Sequence, residues 1–169
     1  RSSAASDVYK RQMSRATQAI AAYKGDELAG VLLCEMKGEA KKDHSIWKSA
    51  YVKIFDFLQN LFVKNGVAPY DEANRGMLVE YCKHNSPDGE IIFLAANPNI
   101  KAKGIGSMLL RELEEREKGK KVFLYTDSAC TYQFYEHRGF ELAQEKDITL
   151  KIGNKEVALR CLLYSKVLG

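Results

Sequence analysis

Apolar and polar positions along the chain alternate in some stretches and recur every three to four residues in others, and the two periods mark strands and helices. Residues 17–23 and 28–36 read as two strands joined by Lys24-Gly25-Asp26-Glu27, a turn, so they form a hairpin. Residues 38–43 are a polar, charged loop. Trp47, Tyr51, Ile54, Phe55, Leu58, Leu61 and Phe62 then fall on one face of a helix that Gly66 ends. Pro69 opens a further helix whose apolar side is Met77, Leu78, Tyr81 and Cys82. Asn85-Ser86-Pro87-Asp88-Gly89 breaks the chain before a β-rich apolar run at 90–96. After a small-residue loop, Met108, Leu109, Leu110 and Leu113 return at helical spacing, and 121–126 read as another strand. Asp127 and Ser128 are N-cap types for a short helix that follows. Residues 141–150 alternate weakly, and Ile152-Gly153-Asn154-Lys155 makes a turn. Val157, Leu159, Cys161 and Leu163 share one strand face, and Ala158, Arg160, Leu162 and Tyr164 share the other. Two hairpins flanking a strand–helix–strand–helix centre predict an α/β fold with a mixed sheet. The right-handed crossover rule makes the strands at 90–96 and 121–126 parallel.

The chemistry concentrates in Asn97-Pro98-Asn99-Ile100-Lys101-Ala102-Lys103-Gly104-Ile105-Gly106-Ser107, between a strand and a helix. Two glycines allow a tight turn and close approach to a ligand. The first amides of a helix lack intrahelical partners and the dipole there is positive, so a pyrophosphate fits. Lys101 and Lys103 add charge. A nucleotide P-loop needs Gly-Lys-Ser/Thr, but Ser107-Met108 follow Gly106; a dinucleotide fold needs a small residue where Leu109 stands. The loop instead resembles the Arg/Gln-x-x-Gly-x-Gly/Ala signature of the GNAT acetyltransferase superfamily, with Lys101 departing from the usual Arg or Gln. Cys130-Thr131-Tyr132-Gln133-Phe134-Tyr135-Glu136-His137-Arg138-Gly139-Phe140 resembles the family's second signature, Tyr-x-x-x-Gly-Phe, in the expected order and about the expected distance away.

The resemblance implies a mixed, mostly antiparallel sheet with helices on both faces and a splayed parallel pair at 90–96 and 121–126. It implies acetyl transfer from acetyl-CoA to a primary amine by direct attack, with no metal. Backbone groups near Leu94, Ala95 and Ala96 would pair with the pantetheine arm like an added strand. Lys101, Ala102, Lys103, Gly104, Ile105, Gly106 and Ser107 would hold the pyrophosphate. Tyr135 stands in the family's general-acid position, and a phenol can give a proton to a leaving thiolate; Tyr132 is a packing residue. For the base, Glu90 at the start of the central strand is preferred, acting through water, over Asp127, which suits a helix cap. Cys130 lacks a His/Asp partner for a covalent step. The alternative is a non-catalytic acyl-CoA-binding sensor of the same fold.

Length and composition narrow the picture. A chain of 169 residues, 46% hydrophobic, suits one domain with a proper core. No apolar run approaches the ~20 residues of a membrane span. Residues 1–12 are Ser/Ala-rich without periodicity, and Asp7-Val8-Tyr9-Lys10-Arg11-Gln12 resembles a translated transposon end of the kind used in sequencing libraries. They are therefore expected to be a foreign or disordered leader, followed by one domain over 13–169 with a helical insertion at about 38–89 on the acceptor side. The family's first strand and first helices are then expected to be missing. The leader carries half of the formal +4 charge, so the pI of about 8.8 does not call for nucleic acid. Cys34, Cys82, Cys130 and Cys161 are widely spaced and His44, His84 and His137 make no metal set, which fits reduced thiols in the cytoplasm. A small-molecule or peptide amine acceptor is expected, with neither nucleic acid nor membrane as partner; a homodimer stays open.

Overall fold

A computed structural model of the chain describes residues 2–41, 48–62 and 71–169. In chain order the elements are α1 (Ser2–Arg15), β1 (Gln18–Lys24), β2 (Glu27–Met36), α2 (Lys48–Phe62), α3 (Asp71–Cys82), β3 (Gly89–Ala96), α4 (Ile105–Arg116), β4 (Lys121–Asp127), α5 (Gln133–His137), β5 (Glu141–Ile152) and β6 (Lys155–Val167). The fold is mixed α/β. Its strands are ordered β1-β2-β3-β4-β6-β5 in a mostly antiparallel sheet, with β3 and β4 the parallel pair. The chain groups into two compact units, Arg1–Val67 with Gly89–Lys118 and Gly169, and Ala68–Asp88 with Gly119–Leu168.

The first unit holds β1, β2 and β3 in an antiparallel ladder. Gly25 takes the β1–β2 turn at φ +62°, where only glycine adopts the left-handed region without cost. One sheet face packs Leu28, Val31 and Leu33 of β2 against Met13 and Ala16 of α1 and Ile54, Phe57 and Leu58 of α2. The register shift in the β1–β2 ladder leaves Ala29 as an extra residue, so Gly30, next to Val31, turns to the opposite face, where Ile105 and Leu109 of α4 lie against it. Trp47, Gly66 and Pro69 lie outside the described residues.

Residues 2–12, expected from the sequence to be a foreign or disordered leader, lie in α1, a helix that stands before the first hairpin. Tyr9 is 8% exposed and its ring lies 6.1 Å from Phe93, and Met13 is fully buried. Tyr9, Met13 and Ala16 recur at i, i+4 and i+7, so one helical face is apolar and docks on the sheet.

The second unit pairs β4 and β5 on either side of β6, antiparallel to both. Ala73, Met77 and Tyr81 of α3 pack on Phe123, Cys161 and Leu163. The register shift between Leu142 and Gln144 is a bulge, which explains why the alternation in this stretch is weak. Asp88 joins α3 to β4: its amide donates to the Lys121 carbonyl and its carboxylate accepts from the Lys121 amide.

Candidate active site

In the first unit, β3 runs into a loop that β2 holds down. The Asn97 amide donates to the Ala29 carbonyl at 2.7 Å and its side-chain amide to the Leu28 carbonyl. Its side-chain oxygen accepts from the Asn99 amide, an Asx turn that starts the bend. Ile100 is buried and anchors the loop from inside. Gly104 caps α4 at φ +78° with no side-chain cap, and the Met108 amide makes an i→i−4 bond to its carbonyl. The amides of Ile105 and Gly106 come before that bond, at the positive end of the helix. A Cβ built on Gly104 would meet nothing within 4 Å, so this side of the cradle is open. Lys101 and Lys103 are exposed beside it. The expected pyrophosphate set is therefore gathered at one helix start, with one difference. The Ala102 amide is turned back on the Ile100 carbonyl at 3.0 Å, and that bond must give way before it can hold a ligand.

Leu94, Ala95 and Ala96 lie across the ladder from Leu32, Val31 and Gly30. Earlier in β3 the register shifts: Leu33 pairs with Phe93 but Cys34 with Ile91, leaving Ile92 as the extra residue of a bulge. Glu90 sits just before it. Its side chain is 13% exposed and ion-pairs with Arg15, whose Nη2 also contacts Glu35 at 2.9 Å. Burial pushes the Glu90 carboxyl up, Arg15 pulls it down, and the nearby Glu35 adds a smaller push, leaving it above the usual carboxylate range. Arg15 and Glu35 were not singled out from the sequence. A carboxylate opening an otherwise apolar strand was the available signal, since such a group needs a cation.

In the second unit, α5 presents Tyr135 among aromatic rings: Phe134 at 5.3 Å, Phe140 at 5.6 Å and Tyr164 at 6.4 Å between centroids. The Tyr135 carbonyl accepts from the Arg138 and Phe140 amides, so the turn at Gly139 (φ +85°) fixes the residue from below. Burial and then the Cys130 thiol push the Tyr135 hydroxyl up to about 12, so it stays protonated across the neutral range. Tyr164 ties α5 to β6 by donating to Glu136 at 3.0 Å. Asp127 accepts from the Ala129 and Cys130 amides and so caps the loop. The Cys130 thiol is raised by desolvation and by Asp127, the opposite of an activated nucleophile. An open cavity of about 660 Å³ lies beside α5, lined among others by Tyr132, Glu136, Glu145, Asp147, Arg160 and Tyr164.

Among the described residues, no group of His, Cys, Asp and Glu could hold a metal ion, and no helix is long and apolar enough to cross a membrane. No curated protein matches the chain. Solved structures share its fold at low identity. One is smu.2055 from Streptococcus mutans UA159, 16% identical, covering 96% of this chain and 77% of that one, with a TM-score of 0.54. Another is arylalkylamine N-acetyltransferase 2 from Aedes aegypti, 17% identical over 96% and 79%, with a TM-score of 0.51. A third is an agmatine N-acetyltransferase mutant in its apo form, 12% identical over 86% and 72%, with a TM-score of 0.51. The profile of the Acetyltransferase (GNAT) family matches residues 2–140, a span that takes in α1, the Gly104 loop and Tyr135, and the chain belongs to that family of acyltransferases.

Proposed function

We propose that the chain transfers an acetyl group from acetyl-CoA to a primary amine by direct attack on the thioester. The observation that carries this reading is the strand–loop–helix at 94–107, where a left-handed glycine without a side-chain cap opens the α4 amides to a pyrophosphate. The amine nitrogen forms a bond to the acyl carbon and the carbon–sulfur bond breaks. The proton lost from nitrogen passes to Glu90, directly or through one water, and the Tyr135 hydroxyl donates to the departing sulfur. A phenol raised to about 12 is fully protonated at neutral pH and so is in its donating form.

Steady-state thiol release from acetyl-CoA, measured with a panel of primary amines, tests the reading. An accepted amine should raise the rate well above hydrolysis. Coenzyme binding with no amine-dependent release from any member of the panel would overturn it.

A further inference from the structure

Glu35 and Glu90 are cross-strand partners in the β2–β3 ladder. Like charges directly opposite each other repel, and here a single guanidinium sits between them. Arg15 donates from Nε and Nη2 to Glu35 Oε1 at 3.3 and 2.9 Å, and from the same Nη2 to Glu90 Oε2. Its Nη1 donates to Gln12 Oε1 at 2.8 Å, which fixes the plane of the fork. The backbone holds this arrangement from both sides of Glu35. The Thr17 amide donates to the Cys34 carbonyl at 2.9 Å, and the Met36 amide donates to the Thr17 hydroxyl at 2.9 Å. The end of α1 is thus stapled across the residues flanking Glu35, and Arg15 is delivered over the carboxylate pair.

We propose that Arg15 and Glu35 are positioning residues for Glu90: the shared Arg15 guanidinium orients the Glu90 carboxylate, and the competition of Glu35 for that guanidinium sets its charge state. The inference rests on the base role given to Glu90 above. Among the described residues, Arg15 from α1 and Glu35 from β2 are the charged groups that face Glu90. The two neighbours act in opposite directions. Without Arg15 the buried carboxylate loses its counter-charge and still faces Glu35, so it holds its proton to higher pH. Without Glu35 the guanidinium has Glu90 as its remaining carboxylate partner, so that carboxylate ionises at lower pH.

The test uses the full chain with Arg15→Gln, Arg15→Lys and Glu35→Gln, checked for folding by circular dichroism. The Glu90 carboxyl is followed by ¹³C NMR titration, its resonance assigned by its loss in Glu90→Gln, and the pH profile of kcat for acetyl transfer is measured alongside. A base must be deprotonated to act, so kcat falls as pH drops through the Glu90 titration. Arg15→Gln should move the titration and the acid limb to higher pH, Glu35→Gln should move both to lower pH, and Arg15→Lys should move them less than Arg15→Gln. A Glu90 titration that stays put in folded variants, or moves the same way in Arg15→Gln and Glu35→Gln, overturns the inference. A titration that moves as expected while the acid limb stays fixed supports the positioning and removes Glu90 from the base role.

Discussion

Glu35 stands directly across the β2–β3 ladder from Glu90, and Arg15 from α1 bridges the two. The bridge is also a structural tie, since it joins the end of α1 to two strands. Arg15→Ala removes four donor contacts, three of them to carboxylates, and leaves those two carboxylates facing each other. The expected loss in urea denaturation at pH 7 is about 1–3 kcal/mol. Glu35→Ala in that background should restore part of it, because the repulsion goes with it, so the two losses should not add. At pH 4 the cost of Arg15→Ala should shrink as Glu90, whose carboxyl burial raises, takes up its proton. Additive losses at pH 7 would show that the pair is not coupled through Arg15.

Gly104 is required for its backbone angle rather than for space inside the protein. Its φ is +78°, and a Cβ there would meet nothing within 4 Å. Gly104→Ala forces a side chain into the left-handed region at a cost of about 1–2 kcal/mol, while Asn tolerates that region better. Calorimetry should show weaker CoA binding in Gly104→Ala than in Gly104→Asn. The reverse order, with Asn the worse, would mean that side-chain bulk against the coenzyme decides rather than the backbone.

Gly30 is constrained the other way. A Cβ there would lie 2.6 Å from Cγ2 of Ile105, 3.1 Å from the Ala95 carbonyl oxygen and 3.2 Å from Leu109. Neither a β-branched methyl nor a backbone oxygen can swing aside, so Gly30→Ala should push the start of α4 off the sheet. Overpacking of this kind costs about 1–3 kcal/mol, and CoA affinity should fall with it because the same helix start forms the cradle. Ile105→Ala in the Gly30→Ala background should recover stability. No recovery would mean that the Ala95 carbonyl is the obstacle.

Local periodicity carried most of the fold. The hairpin at β1–β2, the strand before the glycine loop and the α4 stripe were legible because each element's apolar period lies within its own sequence. Gly104 could be read from its motif, whereas Gly30 could not, since the need for a bare Cα there comes from a helix some 75 residues away in sequence. The α1 face was hidden for a different reason. Its apolar stripe, Tyr9, Met13 and Ala16, straddles the end of a Ser/Ala-rich stretch that looked dispensable. With that stretch set aside, Arg15 had no helix to place it, and the Arg15–Glu90 pair, separated by 75 positions, had no local signature.

Cys34 makes the fold sensitive to alkali. It is fully buried in β2, and burial, with Glu39 and Glu117 nearby, pushes its thiol from 9.0 up to about 12. Between those values the folded chain keeps a proton that the unfolded chain loses, so stability is complete below pH 9 and falls as pH rises toward 12. Urea denaturation at pH 8 and 10.5 should show this loss. Cys34→Ala will lower stability at both values through the cavity it leaves, but it should flatten the difference between them. An unchanged difference would assign the alkaline loss to other groups, with the raised hydroxyls of Tyr135 and Tyr164 the next to examine.

Tyr135 offers the sharpest test of the chemistry. Tyr135→Phe keeps the ring that packs against Phe134, Phe140 and Tyr164 and removes only the hydroxyl. The backbone bonds from Arg138 and Phe140 to residue 135 also stay, so α5 should hold its shape. Coenzyme affinity should therefore be nearly unchanged, while kcat should fall by about 10²–10⁴, the usual size of general-acid help. Because the hydroxyl titrates near 12, it does not ionise between pH 6 and 10, and the variant should leave the limbs of the pH profile where they were. The deficit should shrink with an acyl donor whose thiol is more acidic, since a better leaving group needs less help. A strong dependence of the parent rate on the leaving group would show that carbon–sulfur cleavage limits turnover. If it does and Tyr135→Phe still keeps the parent kcat, the hydroxyl gives nothing to the sulfur and Tyr135 serves only to pack α5.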